Sequence, residues 1–266
     1  MELTILEKDK EKNKISFVLK DTTPSFANAL RRIMTEEVMT MAIEDVEFRK
    51  NSSILYDEIV AHRLGLIPLT TDLKSYNLPE KCKCEGKGCA RCQLKLTLKA
   101  KGPCTVYASD LKSKDPAVKP VYPKTLIVKL LKGQALELEA IATLGQGRVH
   151  MKWSPGLIYY KLKPIIEIDD KKCDGCGICV EQCPTKTLEL KNNKAAVVKD
   201  HLFDCHLCEA CKDSCTKKAI NVKSSNDFIF YVESWGQLDA KKIVQEATKS
   251  FKSQLDEFSE DIKKAK

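Results

Sequence analysis

The chain has 266 residues, 43% hydrophobic and 31% charged, enough apolar material for two or three globular domains. Its formal charge of +8 and pI near 8.7 fall short of the roughly 9 expected of a basic nucleic-acid-binding domain. No apolar run reaches the roughly 18 residues a membrane span needs, and the opening Met1-Glu2-Leu3-Thr4-Ile5-Leu6 lacks the pattern of a secretory signal, so a cytoplasmic protein is expected.

Two strand-like runs, Leu3–Leu6 and Ile15–Leu19, come first, with a charged hairpin loop between them. A helix should follow, because Thr23 can cap it and Pro24 suits its first turn, and Phe26, Leu30, Ile33 and Val38 give it one apolar face. A second helix is expected from Asp57 to Leu64, stopped by Gly65 and Pro68. From Val46 to Lys163 the pattern is mostly strands, including Leu94–Leu98, Thr125–Val128 and Ala135–Ile141, and Lys112–Pro123 reads as an exposed connection. From Leu238 to Ile262 a long amphipathic helix carries Ile243, Ala247, Phe251, Leu255, Phe258 and Ile262 at steps of 4, 4, 4, 3 and 4. That stripe suits either packing on its own domain or a seam with a partner chain.

Thirteen cysteines in a chain without a secretory pattern read first as metal ligands, with disulfides as the alternative. The run Cys173-Asp-Gly-Cys176-Gly-Ile-Cys179-Val-Glu-Gln-Cys183-Pro184 has the spacing C-x₂-C-x₂-C-x₃-C-P of bacterial-type ferredoxins. One loop can then wrap three corners of a cubane, while the fourth cysteine begins a helical turn and points to a second cluster. Gly175 and Gly177 suit backbone passing close to inorganic sulfide. The pattern repeats as Cys205, Cys208, Cys211 and Cys215, each displaced by 32 residues, and the flanking strands repeat with it. The expected unit is a duplicated strand–loop–helix–strand.

In such pairs the fourth ligand crosses over, which gives the sets Cys183, Cys205, Cys208, Cys211 and Cys173, Cys176, Cys179, Cys215. Thr216 stands where the pattern wants proline, so the set with Cys183 ranks first. One cluster is expected there, [4Fe–4S] or its [3Fe–4S] form, and a second only if the Cys215 set assembles. Cys82, Cys84, Cys89 and Cys92 have the spacing C-x-C-x₄-C-x₂-C in a loop bent by Gly86 and Gly88, which suits a small structural zinc site, with a disulfide pair or free thiols as alternatives. Cys104 reads as a buried structural thiol. With one zinc and two clusters the formal charge would fall to about +2, so charge alone supports no DNA site.

Three further stretches resemble the alpha-like subunits of RNA polymerase. They are Pro24-Ser-Phe-Ala-Asn28-Ala-Leu30-Arg31-Arg32-Ile33, then Met41–Phe48 continued by Asp57–Leu69, then Gly147-Arg148-Val-His150-Met-Lys152-Trp153-Ser154-Pro155. With the ferredoxin-like repeat they are similar to the archaeal alpha-like family of DNA-directed RNA polymerase, relatives of bacterial alpha and of the third-largest subunit of eukaryotic polymerase II. The resemblance implies an α+β chain in three parts: a discontinuous dimerisation domain (1–45 and 224–266), an inserted mainly-β domain with a Cys-rich loop (46–164) and a ferredoxin-like βαβ-repeat iron–sulfur domain (165–223). It implies a scaffold subunit of DNA-directed RNA polymerase that pairs with subunit L, contacts the large and small subunits and meets DNA only through the complex. It also implies the zinc loop, although the middle spacing here is one residue longer than in the eukaryotic relatives.

Arg31, Arg32 and the apolar stripe of the last helix would be subunit interfaces; the bland reading of the arginines is a solvated helix face. His62 and His150 read as structural hydrogen-bonders and His206 as solvent-facing. No phosphate-cradling loop, nucleophile elbow or aspartate triad is found, so no catalytic residue is expected in this chain. The rival reading is a ferredoxin-like electron carrier or redox sensor.

Overall fold

A computed structural model describes residues 1–265 as a mixed α and β protein. The chain forms two compact units, one made of 1–6, 16–27 and 159–231, the other of 7–15, 28–158 and 232–266.

Four strands, β1 (Glu2–Asp9), β2 (Lys14–Lys20), β9 (Gly156–Ile168) and β12 (Ile220–Ser234), form a sheet of order β1-β2-β12-β9, most of which lies in the first unit. Phe17 on β2 stacks on Phe230 of β12 with ring centroids 5.1 Å apart. Between β9 and β12 the chain runs through α3 (Ile178–Glu181), the hairpin β10 (Leu188–Lys191) and β11 (Lys194–Val197), and α4 (Ala210–Asp213). This is the duplicated order expected from the 32-residue repeat. Asn192 and Asn193 close the hairpin at φ 50° and 56°, the left-handed pair of a type I′ turn, which asparagine tolerates well. A small core of Cys179, Leu188, Ala195, Cys211, Ile220 and Val222 fills the space between the two helices and the strands.

In the second unit, β3 (Met39–Asn51), β8 (Ala135–Gln146), β4 (Gln93–Lys101) and β6 (Lys112–Ser113) form an antiparallel sheet of order β3-β8-β4-β6. β8 buries nearly every second residue, as a strand with one covered face should. Its apolar face meets α2 (Asp57–Gly65), whose Val60 and Leu64 are fully buried, and the separate pair β5 (Cys104–Tyr107) and β7 (Leu126–Leu130) joins the same core. The connection 112–123 is less exposed than its prolines suggest. Val118 and Pro120 are buried, and Pro120 bridges Leu69, because Thr70 exchanges hydrogen bonds with Lys119 and so pins the segment.

α1 (Pro24–Glu36) starts where expected: the Phe26 amide donates to Thr23 Oγ1 at 3.3 Å, an N-cap bond. α5 (Ala240–Lys264) begins with Asn13 Oδ1 accepting from the Ala240 amide. Its apolar stripe divides in two. Ile243 and Ala247 are fully buried, Phe251 is half-buried, and Leu255, Phe258 and Ile262 are 55%, 62% and 57% exposed. Among the described residues, no helix is long and apolar enough to cross a membrane.

Candidate metal centres

All thirteen cysteines are free thiols. In the second unit, the loop between α2 and β4 brings Cys82, Cys84, Cys89 and Cys92 together, with their four Sγ atoms within 4.8 Å of one another. Three of the separations are 3.6 Å (Cys82–Cys89), 3.5 Å (Cys84–Cys92) and 3.8 Å (Cys89–Cys92). A tetrahedron with Zn–S bonds of about 2.3 Å has edges of about 3.8 Å, whereas a disulfide bond is about 2.05 Å. The residues therefore fit a zinc ion, and the extra residue between the middle cysteines does not spoil the fit. Glu85, Gly86 and Gly88 all take positive φ, which folds the four-residue spacer back on itself. Hydrogen bonding from Cys92 pulls the Cys84 thiol down to about 6, while burial pushes Cys92 up to about 12.

In the first unit the eight remaining clustered cysteines form two groups. Cys179 is buried, and burial raises its pKa first, followed by the charges of Cys173, Cys176 and Cys215. Cys211, also buried, is pushed up to about 11 by burial and then by Cys183, Cys205 and Cys208. The third cysteine of each loop thus feels the first two cysteines of its own loop and the fourth cysteine of the other. The cavity of the first is lined by Cys173, Cys176, Cys179 and Cys215 with Gly175 and Gly177. The donor set, all sulfur and in two groups of four, fits iron–sulfur clusters, which such thiolates would hold by Fe–S bonds.

The two loops correspond in detail. Gly175 and Gly177 both lie at φ +78°, and the residues 32 further on, Leu207 and Glu209, lie at φ 59°. Alanine at 175 would place its Cβ 2.2 Å from the Asn193 carbonyl oxygen, so that position has no room for a side chain. The second loop keeps the same backbone path with two L-residues, at a strain of about 1–2 kcal/mol each. The fourth cysteines match as well. Thr187 N–H donates to Cys183 Sγ and Ala219 N–H to Cys215 Sγ, both at 3.3 Å, and Lys186 and Lys218 take φ 51° and 49°. Thr216 therefore supports the same turn as Pro184.

One difference remains at the sulfur: the Thr185 hydroxyl lies 3.6 Å from Cys183 Sγ. Burial works against the Cys183 thiolate, but the Thr185 hydroxyl and nearby amides outweigh it and hold its pKa below the usual thiol range.

Three expectations need correction. The fourth cysteine does not begin a helical turn. The third, Cys179 or Cys211, lies in the four-residue helix, and Cys183 and Cys215 close it by donating to the Val180 and Lys212 carbonyls; after Cys183, proline disfavours helical backbone at the preceding residue. Cys104 is exposed rather than buried, because it opens β5 beside the Gly102–Pro103 turn and its thiol donates outward to the Lys101 carbonyl at 3.4 Å. His150 is a structural hydrogen-bonder, its Nδ1 accepting from the Lys152 amide, but the His62 side chain is exposed, and its backbone carbonyl accepts from the Leu66 amide at the end of α2. Arg31 and Arg32 already have partners on α1: Arg31 donates to Asn28 Oδ1, and Arg32 pairs with Glu36 at 3.1 Å. His206 is exposed, as expected.

The lysines around the cysteine loops carried no sequence signal. Lys161 on β9 donates to the carbonyls of Phe203 and Cys205, and Lys194 on β11 donates to that of Cys173. An alternating strand shows such a lysine as one more polar residue.

Residues 41–169 match the family described as the RNA polymerase Rpb3/RpoA insert domain, and residues 172–220 match a 4Fe-4S dicluster domain. Along nearly its whole length the chain is 42% identical to DNA-directed RNA polymerase subunit Rpo3 of Methanosarcina acetivorans, with 97% of each chain covered. The chain belongs to the archaeal Rpo3 family. Its likeness to the Rpo3 of Methanosarcina mazei is 43% with 97% of each chain covered, and to that of Pyrococcus furiosus 38% with 99% of this chain and 98% of the other. In this Rpo3-family chain the insert-domain match contains the four-cysteine loop, and the dicluster match contains all eight cysteines of the repeat.

Proposed function

We propose that this chain is a non-catalytic scaffold subunit of DNA-directed RNA polymerase, pairing with subunit L to nucleate assembly. The full-length likeness to Rpo3 subunits supports the complex. The observation that carries the pairing is α5, where Leu255, Phe258 and Ile262 stand 55%, 62% and 57% exposed on one stripe. Burying three such side chains is worth several kcal/mol, which favours a partner on that face. In this reading 1–45 and 224–266 form the dimerisation domain, 46–164 the inserted domain and 165–223 the iron–sulfur domain. Arg31 and Arg32 face the larger subunits, exchanging their intrahelical partners for acidic groups there.

The same proposal assigns Cys82, Cys84, Cys89 and Cys92 to zinc. It assigns Cys183, Cys205, Cys208 and Cys211 to one [4Fe–4S] cluster, and Cys173, Cys176, Cys179 and Cys215 to a second. The clusters supply folding energy to a small unit with a small core. Co-expression with subunit L tests the scaffold reading. A stable one-to-one complex that Leu255→Lys and Phe258→Lys abolish is expected, and a monomer would overturn it. The redox-sensor reading is favoured by one feature, the exposure of Cys176 and Cys208, one in each loop. Loss of assembly on reversible oxidation would support it.

A further inference from the structure

Each cysteine loop is met by one lysine from a strand across the repeat. Lys161 on β9, half-buried, donates from Nζ to the carbonyl oxygens of Phe203 and, at 3.2 Å, Cys205. The same ammonium lies 5.6 Å from the centroid of the Tyr231 ring, and the Tyr231 hydroxyl donates to the same Phe203 carbonyl at 3.4 Å. Lys194 on β11, also half-buried, donates to the carbonyl oxygen of Cys173, while the next residue, Ala195, donates its amide to Cys173 Sγ at 3.4 Å. Cys173 and Cys205 are the first cysteines of their loops, so the two lysines do the same thing at related places. They do not come from related positions of the repeat, since a displacement of 32 residues carries Lys161 to Asn193.

We infer that Lys161 and Lys194 are the charge-compensating positioning residues of the two iron–sulfur sites, each holding a cationic group against the first ligand of one set. This rests on the ligand sets proposed above. Neither lysine touches sulfur; both act through the peptide of a ligand. Four thiolates around a [4Fe–4S]²⁺ core carry about −2, and one-electron reduction takes that to about −3. A nearby ammonium favours the more negative state, so it raises the reduction potential and holds the reduced centre in place. Half-burial makes the effect larger than for a solvated lysine, because water screens the charge less. Lys163, two residues along β9, is the natural control: its ammonium is paired with Asp227 at 3.2 Å and so is already compensated.

The test uses the full chain with subunit L, loaded anaerobically with iron and sulfide, as wild type and as the Lys161→Met, Lys194→Met, Lys161→Arg, Lys194→Arg and Lys163→Met variants. Iron and sulfide content, electron paramagnetic resonance and potentiometric titration are read, with electrons supplied by the electrode through mediator dyes. Each Met variant should lower the reduced-to-oxidised ratio of one centre about tenfold at fixed potential, equivalent to ~59 mV for one electron. The Arg variants should restore it, and Lys163→Met should leave both centres within about twofold of wild type.

Loaded Met variants with unchanged potentials overturn the inference and leave the ligand sets standing. A wild-type protein that takes up no iron or sulfide overturns both. If a Met variant fails to load, its Arg partner decides: wild-type potential and content support the inference, and a shift as large as the Met variant of the other lysine shows overturns it.

Discussion

Replacing Gly175 by alanine should cost the iron–sulfur unit about 2–5 kcal/mol, for two separable reasons. The residue sits at φ +78°, where an L side chain costs about 1–2 kcal/mol. The new Cβ would also stand 2.2 Å from the Asn193 carbonyl oxygen. Ordinary contact needs about 1 Å more, so the loop or the Asn192–Asn193 turn must shift, at an overpacking cost of about 1–3 kcal/mol. Gly177→Ala isolates the first reason. It has the same φ of +78°, but its nearest neighbour is Leu190 Cδ1 at 3.2 Å, the flexible end of a side chain, so about 1–2 kcal/mol is expected. The assay is anaerobic guanidinium titration of the loaded proteins, following loss of visible cluster absorbance. The Gly175→Ala midpoint should lie clearly below that of Gly177→Ala, and both below wild type. Equal midpoints for the two variants would refute the argument that the Asn193 carbonyl closes that side of the loop.

The reciprocal change, Glu209→Gly at φ 59°, should raise the midpoint modestly, by about 0.5–1 kcal/mol after the entropy that glycine adds to the unfolded chain; a lower midpoint would count against strain there. Iron analysis should find about eight atoms per chain in the wild type and about half that in either Cys183→Ser or Cys215→Ser, showing whether Thr216 weakens its site. One zinc per chain is expected, and its affinity should fall as pH falls, since protons compete for the thiolates. With Cys84 at about 6 and Cys92 at about 12, binding near pH 7 should release protons chiefly from the thiols still protonated there, which calorimetry in buffers of different ionisation enthalpy measures. On α5, Ile243→Ala should destabilise the chain by about 2–5 kcal/mol in thermal unfolding, whereas Phe258→Lys should leave the isolated chain unchanged and remove only the partner.

Much of this was legible because chemistry left a spacing behind. Thr23-Pro24 marked the start of α1, and the displacement of 32 residues announced both cysteine loops. Other features had no local signal. Leu207 and Glu209 look unremarkable in sequence, yet they occupy the left-handed positions that Gly175 and Gly177 fill in the first loop; only laying one repeat on the other exposes the substitution. Cys104 looked buried because free cysteines usually are, but its place at a strand edge decides otherwise. The stripe on α5 revealed the apolar face but not its division. Period alone cannot say where a helix leaves its own domain, since Ile243 and Phe258 fit one pattern and differ in exposure from 0% to 62%. Lys161 and Lys194 were invisible because their partners are backbone carbonyls, which every residue has.

The proposed exchange of fourth cysteines between the two loops would have a consequence for how the protein is made. Cys173, Cys176 and Cys179 emerge from the ribosome first but must wait for Cys215, while Cys183 waits for Cys205, Cys208 and Cys211. The later loop is therefore the first to gain its full set, four residues before the earlier one. On those ligand sets neither half of the repeat would complete a site alone. A chain cut or stalled between 184 and 204 would hold four cysteines of the repeat and neither complete iron–sulfur set.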